Sequence, residues 1–164
     1  MQIAALLQDS IVDGPGLRFV VFTQGCSFGC DGCHNPGAAD LDGGIDMSVD
    51  EIVSAMLSNP LTDGLTLTGG EPFLQAADCA KLAAAAKENG KNVWTYSGNR
   101  FEVLLEKMKS EPAVSDLLKQ TDVLVDGQFV LAERTLNMKW RGSKNQRLID
   151  VQRSLASGEV FECD

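Results

Sequence analysis

Short apolar runs of strand length alternate along this chain with longer stretches whose apolar positions recur at helical spacing. The first clear run, Arg18-Phe19-Val20-Val21-Phe22-Thr23-Gln24, is continuous, β-branched and aromatic, as expected of a strand buried on both faces. Ser48-Val49-Asp50-Glu51 is a capping box that opens a helix through about Leu57, with Ile52, Val53, Met56 and Leu57 at helical spacing. Gly64-Leu65-Thr66-Leu67-Thr68 predicts a second strand. The Ala-rich residues 75–89 predict a helix stopped by Gly90, and Asn92-Val93-Trp94-Thr95-Tyr96 the strand after it. Residues 101–109 and 114–120 read as helices, and Val123-Leu124-Val125-Asp126 as a strand ending at Gly127.

Strands that alternate with helices in this way imply a parallel sheet with crossover helices, in which ligands gather at the C-terminal ends of the strands. The strands are too few for a closed eight-stranded barrel. The expected fold is α/β, an open partial (β/α) barrel of mostly parallel strands, whose open side would admit a macromolecular substrate. No internal repeat, low-complexity tract or long linker interrupts the pattern, so one domain is expected over residues 1–164, with a disordered tail after about 156. A domain of this size buries roughly 70% of the surface its unfolded chain exposes.

Composition narrows the partners. A hydrophobic content of 44% with both charge signs interspersed is ordinary for a globular chain. The formal charge of -9 and the pI near 4.5 oppose nucleic-acid phosphates and anionic membrane surfaces, so neither is expected as a partner. No apolar run approaches the roughly 20 residues of a spanning helix. The start, Met1-Gln2-Ile3-Ala4-Ala5, lacks the basic opening of a secretory signal, and a cytoplasmic location is expected. Five cysteines, an odd number with three of them clustered, fit a metal site in a reducing compartment better than a disulfide framework.

Those three thiols lie in one glycine-containing loop directly after the first strand, Cys26-Ser27-Phe28-Gly29-Cys30-Asp31-Gly32-Cys33. They can wrap three corners of an iron–sulfur cubane and leave its fourth iron free to bind a small molecule, which is the logic of an open catalytic metal site. Zinc with His34 as fourth ligand is the rival, although adjacent Cys33 and His34 rarely turn onto one small ion. Three purely structural thiols are the plainest alternative. Gly69-Gly70-Glu71-Pro72 follows another strand; its glycines let backbone approach a ligand closely, and Glu71 could accept from an ammonium group.

Three cysteines at this spacing resemble the radical S-adenosylmethionine superfamily. Val12-Asp13-Gly14-Pro15-Gly16-Leu17-Arg18, Gln24-Gly25-Cys26, Cys33-His34-Asn35-Pro36 and Leu67-Thr68-Gly69-Gly70-Glu71-Pro72-Phe73-Leu74-Gln75 narrow the resemblance to glycyl-radical enzyme activases. The short length, Val123-Leu124-Val125-Asp126-Gly127-Gln128-Phe129 and the run from Trp140 to Arg147 are similar to those activases that serve anaerobic ribonucleoside-triphosphate reductase. The resemblance spans about residues 9–155. It implies a [4Fe-4S] cluster on Cys26, Cys30 and Cys33 whose open iron chelates S-adenosyl-L-methionine, and reductive cleavage to a 5'-deoxyadenosyl radical. That radical takes hydrogen from a glycine of the partner. The implied partner is the glycyl-radical subunit of the reductase, with a reductant such as flavodoxin; another glycyl-radical enzyme such as pyruvate formate-lyase is the alternative, and a non-catalytic electron-transfer or zinc module the rival class.

Carried over by position, Gly69, Gly70 and Glu71 would meet the amino-acid end of S-adenosylmethionine, and Gly32, Cys33, His34 and Asn35 its adenine side. Gly32 stands where many superfamily members place an aromatic residue. Tyr96 and Ser97 would wall the cofactor or, equally, serve as core and turn, and Asp126 resembles an activase position beside it that can hold a cation, a capping role being its default. Asp13 is by default a turn-former; the resemblance places it near the partner's glycine loop. Lys139, Arg141, Lys144, Arg147 and Arg153 gather positive charge in an acidic chain, either as a solvated face or as a docking or carboxylate-binding surface. Cys79 reads as a small buried hydrophobe and Cys163 as a thiol of the disordered tail, neither belonging to the cluster.

Overall fold

A computed structural model describes residues 1–163. Seven strands form one sheet: β1 (Gln2–Ser10), β2 (Arg18–Thr23), β3 (Ile45–Asp46), β4 (Gly64–Gly69), β5 (Asn92–Ser97), β6 (Val123–Asp126) and β7 (Arg147–Asp150), in the spatial order β3-β1-β2-β4-β5-β6-β7. The four central strands β2, β4, β5 and β6 run parallel in chain order, and β1, β3 and β7 flank them antiparallel. The sheet does not close, which is the expected partial barrel.

Four helices lie in the crossovers between the parallel strands, α1 (Val49–Leu57), α2 (Ala76–Glu88), α3 (Phe101–Lys107) and α4 (Pro112–Gln120), and α5 (Val151–Ser157) follows β7. One face of the sheet, carrying Phe19, Val21, Leu65, Leu67, Val93, Leu124 and Ile149, packs on Ile52, Met56, Leu82, Phe101, Leu104, Leu117 and Val151 of these helices. That leaves the other face, with Trp94, Val125 and Leu148, as the inner wall of the open barrel. The capping box at α1 is formed: Ser48 Oγ accepts from Glu51 N at 3.2 Å, and Glu51 Oε2 accepts from Ser48 N at 2.9 Å.

The structure corrects the sequence reading at both ends. β1, β3 and β7 were not expected. β1 presents Ile3-Ala4-Ala5-Leu6-Leu7 without alternation, because a bulge between Ile3 and Ala5 shifts the register against β2. The tail is ordered through Cys163. After α5, Gly158 turns in the left-handed region at φ 77°. The chain then returns along β7, with Asp150 N donating to Phe161 O at 2.9 Å and Cys163 N to Leu148 O at 2.7 Å. The outer edge of β7 has backbone groups that need partners, and the tail supplies them.

On the inner face Arg18 is fully buried. Its Nε donates to Thr66 Oγ1 at 3.0 Å and its Nη2 to Leu65 O at 2.6 Å, while Nη1 reaches Asn92 Oδ1. Burial lowers its pKa to about 10, opposed by the neighbouring Tyr96 and Asp63. Thr66 Oγ1 in turn donates to Asp13 O at 2.8 Å, so the loop before β2 folds up against the inner face. Gly64 leaves the room for this cation: a Cβ there would lie 2.0 Å from Arg18 Nη1 and 2.6 Å from Asn92 O. Gly64→Ala is therefore expected to lower stability by about 1–3 kcal/mol, read as a shift of the urea midpoint with an unchanged slope.

Candidate functional site

A cavity of about 610 Å³ opens at the C-terminal ends of the parallel strands, within the roughly 300–1,000 Å³ range of small-molecule sites. Cys26, Cys30 and Cys33 line it from the loop after β2, Thr68, Gly69, Gly70 and Glu71 from the end of β4, and Tyr96, Ser97 and Gly98 from the end of β5. Asp13 faces it from the loop that Arg18 holds. His34 and Asn35 also line it, so ten of the expected site residues converge on one space.

The cysteine loop is fixed there by main-chain contacts. Gly70 N donates to Thr23 O at 2.7 Å and Glu71 N to Gly25 O at 2.8 Å, extending the β2–β4 ladder beyond the strands. A Cβ on Gly70 would sit 2.2 Å from Gly25 O, so only glycine permits this approach. Phe28, between the first two cysteines, lies over Gly98, where a Cβ would come within 2.5 Å of the ring. The loop is thus gripped from β4 and from β5.

Glu71 joins those two grips. It is 2% exposed, and its Oε1 accepts from Ser97 Oγ at 2.9 Å and Phe73 N at 3.1 Å while Oε2 accepts from Gly98 N at 2.9 Å. Its side chain braces the strand ends while it lines the cavity. Burial pushes its pKa above the ordinary carboxylate range, opposed by the three hydrogen bonds and by Lys107. Ser97 is 5% exposed and shares this role, accepting from Asn99 N at 3.0 Å.

Two expected residues lie outside the cavity. Asp126 is fully buried; it accepts from Phe101 N at 2.8 Å and Arg147 Nε at 3.0 Å, and pairs with Arg100 at 3.3 Å. It caps α3 and pins β7, its default role. Hydrogen bonds to Asp126 and then to Glu102 raise the pKa of Arg147, which removes Arg147 from the free positive charge of its segment. Gly32 adopts φ 73°, and its Cβ position lies 2.9 Å from Leu131 Cδ1 and 3.5 Å from Phe129 Cε1. An aromatic residue is excluded at Gly32 by backbone conformation and by these neighbours.

Phe129 belongs to a flap between β6 and β7, which sequence reasoning treated only as part of a motif. Gly127, Gln128, Phe129 and Gln146 line the cavity from this flap. Gln146 Oε1 accepts from Gly142 N at 2.8 Å, and Gln146 Nε2 donates to Gly127 O at 3.0 Å, closing the flap on itself. The Phe129 ring lies 5.0 Å from that of His34, and a Cβ on Gly142 would come within 2.6 Å of His34 Cε1. Nothing in the local sequence pattern signalled this packing.

Burial raises the pKa of the Cys26 thiol, the Phe28 N–H opposes, and Glu71, Cys30 and Cys33 add to the rise. Among the described residues no three Cys, His, Asp or Glu side chains already converge on one point as ligands of a single ion do. A cubane places its ligands on separate corners, and three cysteines on one short loop around a common cavity fit that group. Cys79 is fully buried among core residues, as expected, and burial raises its pKa. Among the described residues no helix is long and apolar enough to cross a membrane.

An open α/β sheet with a three-thiol loop at the C-terminal strand ends defines the class as an iron–sulfur-type site on a partial barrel. Residues 12–149 match the 4Fe-4S single cluster domain family, and the chain belongs to that family. It is 34% identical over 145 residues to the anaerobic ribonucleoside-triphosphate reductase-activating protein of Enterobacteria phage T4, covering 84% of this chain and 86% of the relative. The protein of that name from Haemophilus influenzae is 28% identical over 146 residues, covering 83% and 89%. The pyruvate formate-lyase-activating enzyme of Staphylococcus aureus is 34% identical over 152 residues; the match takes in 88% of this chain and 59% of that enzyme.

Two variants check this geometry. Glu71→Gln places an amide donor against donors and is expected to lose about 1–3 kcal/mol at neutral pH. A raised acid pKa means that native Glu71 holds its proton to higher pH than the unfolded chain does, so this group removes stability as pH rises through that window. Urea midpoints against pH should show that fall in the native protein and lack it in the variant. Gly98→Ala should cost about 1–3 kcal/mol by colliding with Phe28, and Phe28→Ala in the same chain should restore most of it in a double-mutant cycle.

Proposed function

We propose that this chain activates anaerobic ribonucleoside-triphosphate reductase through a [4Fe-4S] cluster on Cys26, Cys30 and Cys33 and reductive cleavage of S-adenosyl-L-methionine. The observation that carries this reading is the three-cysteine loop stitched beside the Gly69-Gly70 backbone in one cavity, in a chain whose relatives are activating proteins. When bound, the cluster and S-adenosylmethionine supply the electron and the 5'-deoxyadenosyl radical that takes hydrogen from a glycine of the reductase.

The chain's own residues hold and shield. Cys26, Cys30 and Cys33 would hold the cluster as thiolates, giving up their protons, with its fourth iron left for the small molecule. The backbone of Gly69 and Gly70 lines the same cavity as the three thiols, where that main chain would suit the amino-acid end of S-adenosylmethionine. His34, Asn35 and Phe129 line the cavity, the His34 and Phe129 rings in contact, and would serve the adenine side, as would Tyr96 and Ser97 as further lining. The Tyr96 hydroxyl keeps its proton, because burial and then the charge of Asp13 raise its pKa. Phe22, Phe28 and Phe129 give the cavity an aromatic lining that would disfavour water around the bound cofactor. The electron comes from an external reductant such as flavodoxin, and the reading places the protein in the cytoplasm as one catalytic domain.

Anaerobic reconstitution is expected to give a brown protein with about four irons per chain. Reduction and addition of S-adenosylmethionine should yield 5'-deoxyadenosine by chromatography, and mixing with the reductase a glycyl radical by electron paramagnetic resonance. Cys30→Ala should abolish both. A colourless zinc protein, or a reduced cluster protein that gives no cleavage even with the reductase present, would overturn the reading; a radical formed only on pyruvate formate-lyase would replace the partner.

A further inference from the structure

The positive charge of this acidic chain is unevenly distributed. Arg134, Lys139, Arg141 and Lys144 lie in the flap between β6 and β7, and among the described residues none of the four enters an ion pair. Arg100 and Arg147, by contrast, are bound to Asp126. Arg134, Lys139 and Lys144 are exposed, and two apolar side chains stand among them, Leu136 at 89% and Leu131 at 52% exposed. In a chain of net charge -9 such a surface is complementary to an acidic protein.

Its position says which acidic protein. The flap packs directly behind the third cysteine: Leu131 and Phe129 lie against Gly32, and Gly142 against His34. A second groove of about 630 Å³, lined by Ala4, Ala5, Gly44 and Ile45, reaches the same loop at His34 and Asn35 from β1, across the sheet from the flap. A polypeptide substrate has to enter the cavity, and that small-residue groove leads there. An electron donor needs only to approach the cluster ligands from outside.

We propose that the exposed flap face, with Arg134, Lys139, Lys144 and Leu136, is the docking surface for an acidic one-electron donor protein carrying a reduced flavin or iron–sulfur group. One electron leaves that group, which is oxidised by one electron, and enters the cluster, which is reduced by one; no bond or proton is exchanged. This rests on the reading of the cysteine loop as a cluster site and adds where its electron arrives.

The test compares the reconstituted protein with its Arg134→Glu, Lys139→Glu, Lys144→Glu variant, iron content and absorbance being read before any donor is added. Loss of the cluster at that stage in the unaltered protein would sink the cluster reading and not the docking surface, which calorimetric titration with a flavodoxin measures separately. Cluster reduction is then followed by absorbance with photoreduced flavodoxin and with photoreduced deazaflavin, a small reductant. Reversal is expected to slow the flavodoxin reaction at least about tenfold at low ionic strength, to remove its decline with salt and to weaken flavodoxin binding, while the deazaflavin rate stays the same. Equal flavodoxin rates in the two proteins would make the face merely solvated. Unchanged flavodoxin reduction with loss of the glycyl radical would assign the face to the reductase. Either outcome overturns the proposal.

Discussion

The site depends on one close approach, the backbone of Gly70 and Glu71 lying against Gly25. Three loops at the ends of parallel strands have no inherent reason to stay together, since the ladder stops where the strands do. Here the ladder is prolonged: Glu71 N binds the cysteine loop at Gly25 O, the Glu71 carboxylate binds Gly98 N, and Gly98 leaves room for Phe28 of the cysteine loop. The three contacts form a closed circuit through β2, β4 and β5. Each link limits the others, so the three thiols are held around a space set by the sheet itself.

Much of the fold was legible because the parallel core obeys the simplest patterns. β2, β4, β5 and β6 are short apolar runs, and Ser48 with Glu51 caps α1 as the residues themselves suggest. The flanking strands were not legible, because antiparallel edges need only local pairing. β1 mixes Ala and Leu without alternation, and β7 is a four-residue strand whose outer edge is completed by the returning tail. Such strands are fixed by tertiary context, which overrides local propensity.

The site divides along a similar line. Cysteine spacing names candidate ligands because the chemistry lies in the residue type. At Glu71, Ser97 and Asp126 buried oxygens make hydrogen bonds that hold the strand ends, the capping role that stood as the default for Asp126. A carboxylate at a strand end looks the same in sequence whether it faces a ligand or a backbone N–H. The aromatic side chain missing at Gly32 is matched by Phe129, distant in the chain, which no local pattern would have paired with it.

Both lateral walls of the cavity trace back to the inner face around Arg18. On one side its partner Thr66 holds the Asp13 carbonyl. On the other, the guanidinium lies 6.0 Å from the Trp94 ring, and Trp94 meets Trp140 of the flap edge-on at 5.0 Å. Trp140 sits at φ 59°, a left-handed conformation that costs about 1–3 kcal/mol for a bulky residue and persists only where surroundings impose it. The edge-on contact with Trp94 is one such surrounding. The flap is therefore a braced wall, anchored through Trp94 beside the same buried cation that orders the opposite loop, and its exposed cations are presented on a fixed surface.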